Sequence, residues 1–422
     1  KRTSSVSSIV LMTSFLCACS SEPAEEEIVE VPEIGPFANI TAITFDPEGA
    51  LYVADSDSGE VTAIDVSQEI ESGEMVAYNL QNLDATLSEL LGAPSADLRV
   101  KDLAVHPQSN EAFLAVSRLH DGEYASGIVI VNQAGQARLL DEPATGARLT
   151  IPFAPTDDFT FYGEFPSRDL SFTDLEVHNG RLFVAGMSNA DFASTLWTSE
   201  LPLGGEPTVT TTEIYHAIHG QMETRAPIRA LTIANLGGVD HVVAAYTCTP
   251  LVVFPVDELL SGGAVTGKTV GELGYGNTPG DMVSIQIMGQ DGSPLDAIYI
   301  QNKNQGGQMI VKPALEAAAA GPGLTAPLMV GAKEDLGALE TPMTSLLQLA
   351  DQDPRRVLGL RRDAEDGTLE LVSFTKGVFF RLSDFQSEYE IPGYTYPPEQ
   401  EPIKQFQNGM KVEEGHANYV VE

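Results

Sequence analysis

Cysteine is scarce: Cys17, Cys19 and Cys248 are the only three in 422 residues. Three thiols exclude a disulfide framework and a multi-cysteine zinc or iron–sulfur domain. No CxxCH occurs, so covalent c-type haem is excluded as well. Basic residues are also short, with 23 Lys and Arg against 60 Asp and Glu, a formal charge of −37 and a pI near 4.3. Neutralising phosphates takes clustered Lys and Arg, so nucleic acid is not an expected partner. A basic face held on anionic lipid is excluded for the same reason. No apolar run of bilayer-spanning length follows Cys19. What is present is 43% hydrophobic and 20% charged, the composition of a globular chain. Its length suits two or three ordinary domains or one large β architecture.

Lys1 and Arg2 form a positive n-region, and Val6 to Leu16 is a short apolar run broken only by Ser and Thr. The run is too short to span a bilayer and reads as a signal-peptide core. It ends in Leu16-Cys17-Ala18-Cys19, which resembles a bacterial lipobox. The resemblance implies cleavage before Cys19, lipidation of Cys19, and residues 1–18 as signal peptide; a plain secretory signal cut near Ala18 is the alternative. Residues 19–37, acidic and punctuated by proline, are expected to be an extended, self-repelling tether. Ser20 stands where an Asp would retain a proteobacterial lipoprotein in the inner membrane, so the resemblance implies the outer membrane. The expected membrane partner is thus reached through an N-terminal lipid anchor. Several acyl chains, at about 0.8 kcal/mol per buried CH₂, make such an anchor effectively permanent.

Residues 38–65, ANITAITFDPEGALYVADSDSGEVTAID, contain three strand-like runs separated by DPEG and DSDSG, sequences that close hairpins. The stretch resembles an NHL or YVTN-type propeller repeat. The design recurs at 100–140, 172–190, 228–256, 282–313 and 345–384. Aligned first strands place Thr41, Lys101, Thr173, Arg229, Asp281 and Ser345 together, at intervals of 60, 72, 56, 52 and 64 residues. The expected fold is all-β: a single β-propeller over 38–391, six blades with seven possible, closed by pairing between early and late strands. Two separate sandwiches are the alternative. Helical pattern is confined to short pieces at 85–93, 256–263 and 314–321, which suit loops. Apolar alternation marks Leu103/Val105, Leu175/Val177, Leu231/Ile233, Val283/Ile285 and Leu347/Leu349 as inner-strand core.

Two segments depart from the repeat. Residues 141–171 gather Phe153, Phe159, Phe161, Tyr162 and Phe165, an aromatic-rich insertion that is either a flap over one face or a hairpin packed on the side. The tail at 392–422 is proline-rich then acidic, and is expected to run extended as a strap or a contact for another protein.

Candidate chemistry is sparse. His216 and His219 form HxxH with Met222 nearby, residue types that bind copper-like ions. The surrounding sequence reads as a strand ending at Gly220, where alternation sends the two rings to opposite sides, and no third ligand is identifiable. No metal site is therefore expected there. Cys248, with no partner, reads as a small buried core residue. Residues 262–269, GGAVTGKT, match the phosphate-loop spacing, yet no helix pattern follows Lys268, so a hairpin turn is expected. DSDSGE (55–60) and DAEDGT (363–368) stop short of a calcium loop's twelfth-position acid and read as turns. No G-x-S-x-G elbow occurs.

Function is therefore argued from the axis of the propeller. The six aligned residues should ring the channel, with Asp102 and Asp174 one position further in. Counting blades in chain order sets Lys101 opposite Asp281, with Arg229 paired to Asp281 and Lys101 left uncompensated. The expected site is an anion or small polar-molecule pocket centred on Lys101 and Arg229; a cation site made by Asp102 and Asp174 ranks second. The protein is accordingly expected to be a ligand- or protein-binding module. The alternative is an exported propeller enzyme, hydrolase or oxidoreductase, with its site at the channel.

Overall fold

The computed structural model describes residues 32–420 apart from 72–74, 142–145, 153, 155–159, 162–164, 248, 275–276, 290, 304, 364–365 and 386–394. Six sheets make the six blades of one β-propeller: five are four-stranded and antiparallel, and that of blade three is six-stranded, with Gly263–Thr266 added in parallel to Thr208–His216. Five begin with the inner strands Ile40–Phe45, Leu98–Val105, Ile228–Leu236, Pro279–Met288 and Leu346–Asp353; the blade of Asp174–His178 is third in the chain. Tight turns set the hairpins. In the first blade Asp55 accepts the backbone N–H groups of Ala38, Asn39, Asp57 and Ser58, so DSDSGE is an aspartate-organised turn, as its composition implies.

The blades do not follow one another round the ring in chain order. After its third strand, Glu60–Asp65, blade one leaves for the far side of blade two, and Asn79–Leu80 completes blade six against Leu369–Thr375. The chain then builds blade two and returns with Arg148–Thr150 as the outer strand of blade one. The ring therefore runs two, one, three, four, five, six and back to two. The packing agrees, because each of the six core clusters joins two ring neighbours. Early and late strands thus pair as expected, but the closure passes through blade two. Arg148–Thr150 also corrects the reading of 141–171 as wholly an insertion.

A propeller sheet is covered on both faces, so its strands are apolar on both sides. Val242–Tyr246 and Ala112–Val116 are buried without interruption. Of the expected inner-strand core, Leu103, Leu175, Leu231, Ile233, Ile285 and Leu349 are buried, while Val105, Val177, Val283 and Leu347 are only partly covered.

The tail is not an extended strap. Glu401–Glu413 is a helix, with Pro402 in its first turn where a missing N–H costs nothing. It seals the closing seam: Glu414 accepts the N–H groups of Leu382 and Ser383 at 2.7 and 2.8 Å, and its carbonyl accepts from Asn79 Nδ2 at 2.5 Å. Arg355 and Arg356 both reach Glu413. At 263–272 the strands Gly263–Thr266 and Lys268–Glu272 pair with different sheets rather than forming a hairpin, and no helix follows Lys268. No helix among the described residues is long and apolar enough to cross a membrane.

Candidate functional site in the axial channel

Five of the six inner strands carry a β-bulge at the same aligned position: Thr41, Lys101, Arg229, Gly280 and Leu347. A bulge sets two residues against one on the neighbouring strand and re-aims a side chain, as at barrel rims and binding sites. Thr173 occupies the equivalent place just before Asp174–His178, its N–H bonded to Ala185.

The next position in each strand forms the waist of the channel. Around the ring it reads Asp102, Ala42, Asp174, Ala230, Asp281 and Gln348, a carboxyl on every second blade. Each of the three bridges two blades. One oxygen accepts the following N–H of its own strand: Leu103, Leu175 and Met282 at 2.8, 2.7 and 2.7 Å. The other accepts from the next blade: Ile43, Leu231 and Leu349 at 2.6, 2.6 and 2.7 Å. Burial pushes all three acids upward, and mutual repulsion adds to the rise of Asp102 and Asp174; the N–H bonds pull the other way.

All three carboxyls line both of two axial cavities. The narrower, about 140 Å³, also touches Thr41, Lys101, Thr173, Arg229 and Asp169. Five of the six ring residues inferred from sequence are thus brought together, Asp281 from the waist rather than the bulge position, which is Gly280. Ser345 is not among them. It is exposed, with φ of 58°, outside the strand that begins at Leu346, and Gln348 lines the cavity in its place.

The charges also differ from expectation. Lys101 is compensated, its Nζ 2.9 Å from Asp169 Oδ2. Asp169 is further held by Asn39 Nδ2 at 3.0 Å. It sits in the short helix Ser167–Leu170, which lies against blade three because residue 186 is glycine; a Cβ there would stand 1.9 Å from the Ser171 carbonyl. Sequence reasoning missed Asp169 because it lies 68 residues from Lys101, at the end of the aromatic-rich segment. In that segment Thr160–Phe161 pairs with Phe165–Pro166, and the aromatic side chains lie outside the described residues.

The blade order puts Lys101 across the channel from Arg229 and not from Asp281. Arg229 does not pair with Asp281 either. It makes no hydrogen bond or ion pair with a described residue; burial lowers its pKa while the fields of Asp169 and Asp174 oppose the fall. Thr41 and Thr173 are committed, to Ser56 and to the Ile228 carbonyl, each at 2.6 Å.

The wider cavity, about 320 Å³, is lined by apolar inner-strand residues and by Asp46, Glu176 and Asp351, with no Lys or Arg. Asp46 accepts from Ala50 and Tyr52, and Asp351 pairs with Lys376 at 2.6 Å. Glu176 alone of these has no partner among the described residues. Burial, aided by Asp281, pushes its carboxyl up to about 8. The volume is at the lower end of the roughly 300–1,000 Å³ typical of small-molecule sites.

Two other candidates from the sequence, Cys19 and Cys248, lie outside the described residues.

No protein-family model matches this chain, and no curated protein matches its sequence. Solved structures that resemble it include extracellular domains 1–2 of Drosophila Semaphorin 1b, at 9% identity over 82% of this chain and 87% of that one, with a TM-score of 0.35. The β-propeller domain of Cps50 (Swd1) from Myceliophteria thermophila shows 10% identity over 82% and 99%, with a TM-score of 0.28. A PQQ-bound aldose sugar dehydrogenase from Streptomyces coelicolor shows 10% over 82% and 96%, with a TM-score of 0.30. The six blades are counted from the sheets themselves.

Proposed function

We propose that this propeller is a binding module that takes a small polar molecule into its axial channel. One observation carries the reading: Arg229 and Glu176 line the two halves of one channel, and each lacks a protein partner among the described residues. Both are half-buried, and ionisable groups withdrawn from bulk water are ordinarily paired, so unpaired ones lining a cavity are placed for something else. Arg229 offers up to five N–H donors to a carboxylate or other acceptor group. Glu176 suits a donor or cationic group. The favoured ligand carries both, as an amino acid or another small zwitterion does. This narrows the anion pocket expected from sequence to Arg229, since Lys101 is occupied by Asp169.

The enzyme reading is favoured by Glu176 alone, a carboxyl raised toward neutrality, as general acids are. It requires a ligand that is turned over rather than merely held.

The location proposal rests on the lipobox-like run ending at Cys19. It sets the propeller on the outer membrane through a lipid anchor and the 19–37 tether. A Cys19→Ala protein that still takes up a fatty-acid label and still sediments with membranes would contradict it. For the site, a thermal-shift panel of small zwitterions, carboxylates and amines should yield a stabilising ligand, and its crystal complex should show density between Arg229 and Glu176. Density elsewhere on the propeller would overturn the assignment.

A further inference from the structure

A second site lies at the outer edge of blades three and four. The strand Thr208–His216 ends at His216 rather than at Gly220, and a tight turn through 217–220, with φ of 64° at Gly220, leads into Gln221–Glu223. The turn undoes the alternation expected of an unbroken strand. The His216 and His219 rings meet at a tilt of 50° with centroids 3.9 Å apart, on the same carboxylate. His216 Nδ1 lies 3.0 Å from Glu223 Oε2, and His219 Nδ1 lies 2.5 Å from Glu223 Oε1. Met222, which alternates with Glu223 along its strand, is exposed and takes no part.

We infer that His216, His219 and Glu223 bind one divalent transition-metal ion, with Glu272 as the positioning residue behind it. The two ring nitrogens and the carboxylate lie within 4.8 Å of one another, near enough for small side-chain adjustments to close on one ion at about 2.0–2.2 Å. Two imidazoles and one carboxylate are a zinc-type donor set, and they leave a fourth position on the side of His219, which is 45% exposed.

The second observation is Glu272, on the outer strand of blade four. Its carboxylate is fully buried and its Oε2 stands 3.8 Å from His216 Nε2, the ring nitrogen turned away from the three-donor centre. A metal-bound imidazole characteristically presents its other N–H to a carboxylate, which orients the ring and raises its basicity. Thr249 donates its hydroxyl to the other Glu272 oxygen from a backbone with φ of 99°, strain of the kind retained at functional sites. Neither Glu223 nor Glu272 has a Lys or Arg within ion-pair distance among the described residues. A divalent cation compensates both charges.

The test is Zn²⁺ titration of the chelator-treated full-length protein by calorimetry, with Co²⁺ absorption reporting coordination. The expected result is one saturable site per chain and an intense visible Co²⁺ band. His219→Ala, an exposed change that leaves the fold intact, should weaken Zn²⁺ by more than ~100-fold, beyond the usual loss from removing an outer-shell partner. Glu272→Gln should keep the stoichiometry and weaken binding by ~10–100-fold. Absence of a saturable site, equal affinity in His219→Ala, or a weak octahedral Co²⁺ spectrum would overturn the site. Unchanged affinity in Glu272→Gln would overturn its positioning role.

Discussion

The waist carboxyls and the two lining groups beside them are all half-buried acids or bases on the inner strands, yet they are opposites. Asp102, Asp174 and Asp281 each spend both oxygens on backbone N–H groups of two blades, whereas Arg229 and Glu176 spend nothing on the described protein. Satisfied groups hold a fold together; unsatisfied ones cost stability and are explained by what they meet. Substitutions should therefore separate the two sets, the first failing in stability and the second in binding.

The largest effect is expected at the waist. Asp281→Ala leaves the N–H groups of Met282 and Leu349 without acceptors, at about 1–3 kcal/mol each, so denaturant unfolding should show a loss of about 2–6 kcal/mol. Asp281→Asn keeps one acceptor oxygen and should lose about half as much. Equal stability of wild type and Asp281→Ala would mean that the carboxyls do not join the blades.

A comparable but smaller loss belongs to the seam. Tyr78 bonds through its hydroxyl to Asn110, Val131 and Ala112, all at 2.9 Å, and its N–H reaches Ser373. Tyr78→Phe strands the Ala112 N–H and should cost about 1–3 kcal/mol. An unfolding midpoint unchanged by that substitution would argue against closure through blade two.

How much of this was legible in the sequence follows from the length of each signal. LYVAD flanked by DPEG and DSDSG shows strands and turns directly, because alternation and turn chemistry act over five to ten residues. The order of blades does not show. It is decided by Asn79–Leu80 and Arg148–Thr150, pairings too short to leave a pattern. Bulges hide the register: counting residues without them sets Ser345 where Leu347 belongs and Asp281 where Gly280 belongs. The waist acids Asp102 and Asp174 were visible one place after the aligned ring, and their alternation with Asp281 emerges only once the ring order is known. HxxH is visible as a motif, but the turn at 217–220 that brings its rings together leaves no signal against the strand-like EIYHAI.

Glu176 supplies a pH test of the comparison. Its folded-state carboxyl is raised from 4.5 to about 8, so between those values the folded protein holds a proton that the unfolded chain has released. Stability should fall as pH rises through that window, with the waist acids acting in the same sense, and Glu176→Gln should flatten the slope. A slope identical in the variant would remove Glu176 from the set of uncompensated channel groups. Smallest in stability is Arg229→Met, expected to leave the unfolding midpoint unchanged or slightly higher, since a half-buried guanidinium without a hydrogen-bonded partner among the described residues is replaced by an apolar chain.

The most direct measurement is calorimetric titration of the stabilising zwitterion into wild type, Arg229→Met and Glu176→Gln at one pH. The account predicts a single site in the wild type, weakened at least ~10-fold by either substitution, as expected when a charge-assisted hydrogen bond worth about 1.5–3 kcal/mol is lost. Binding of wild-type strength in both variants would contradict it.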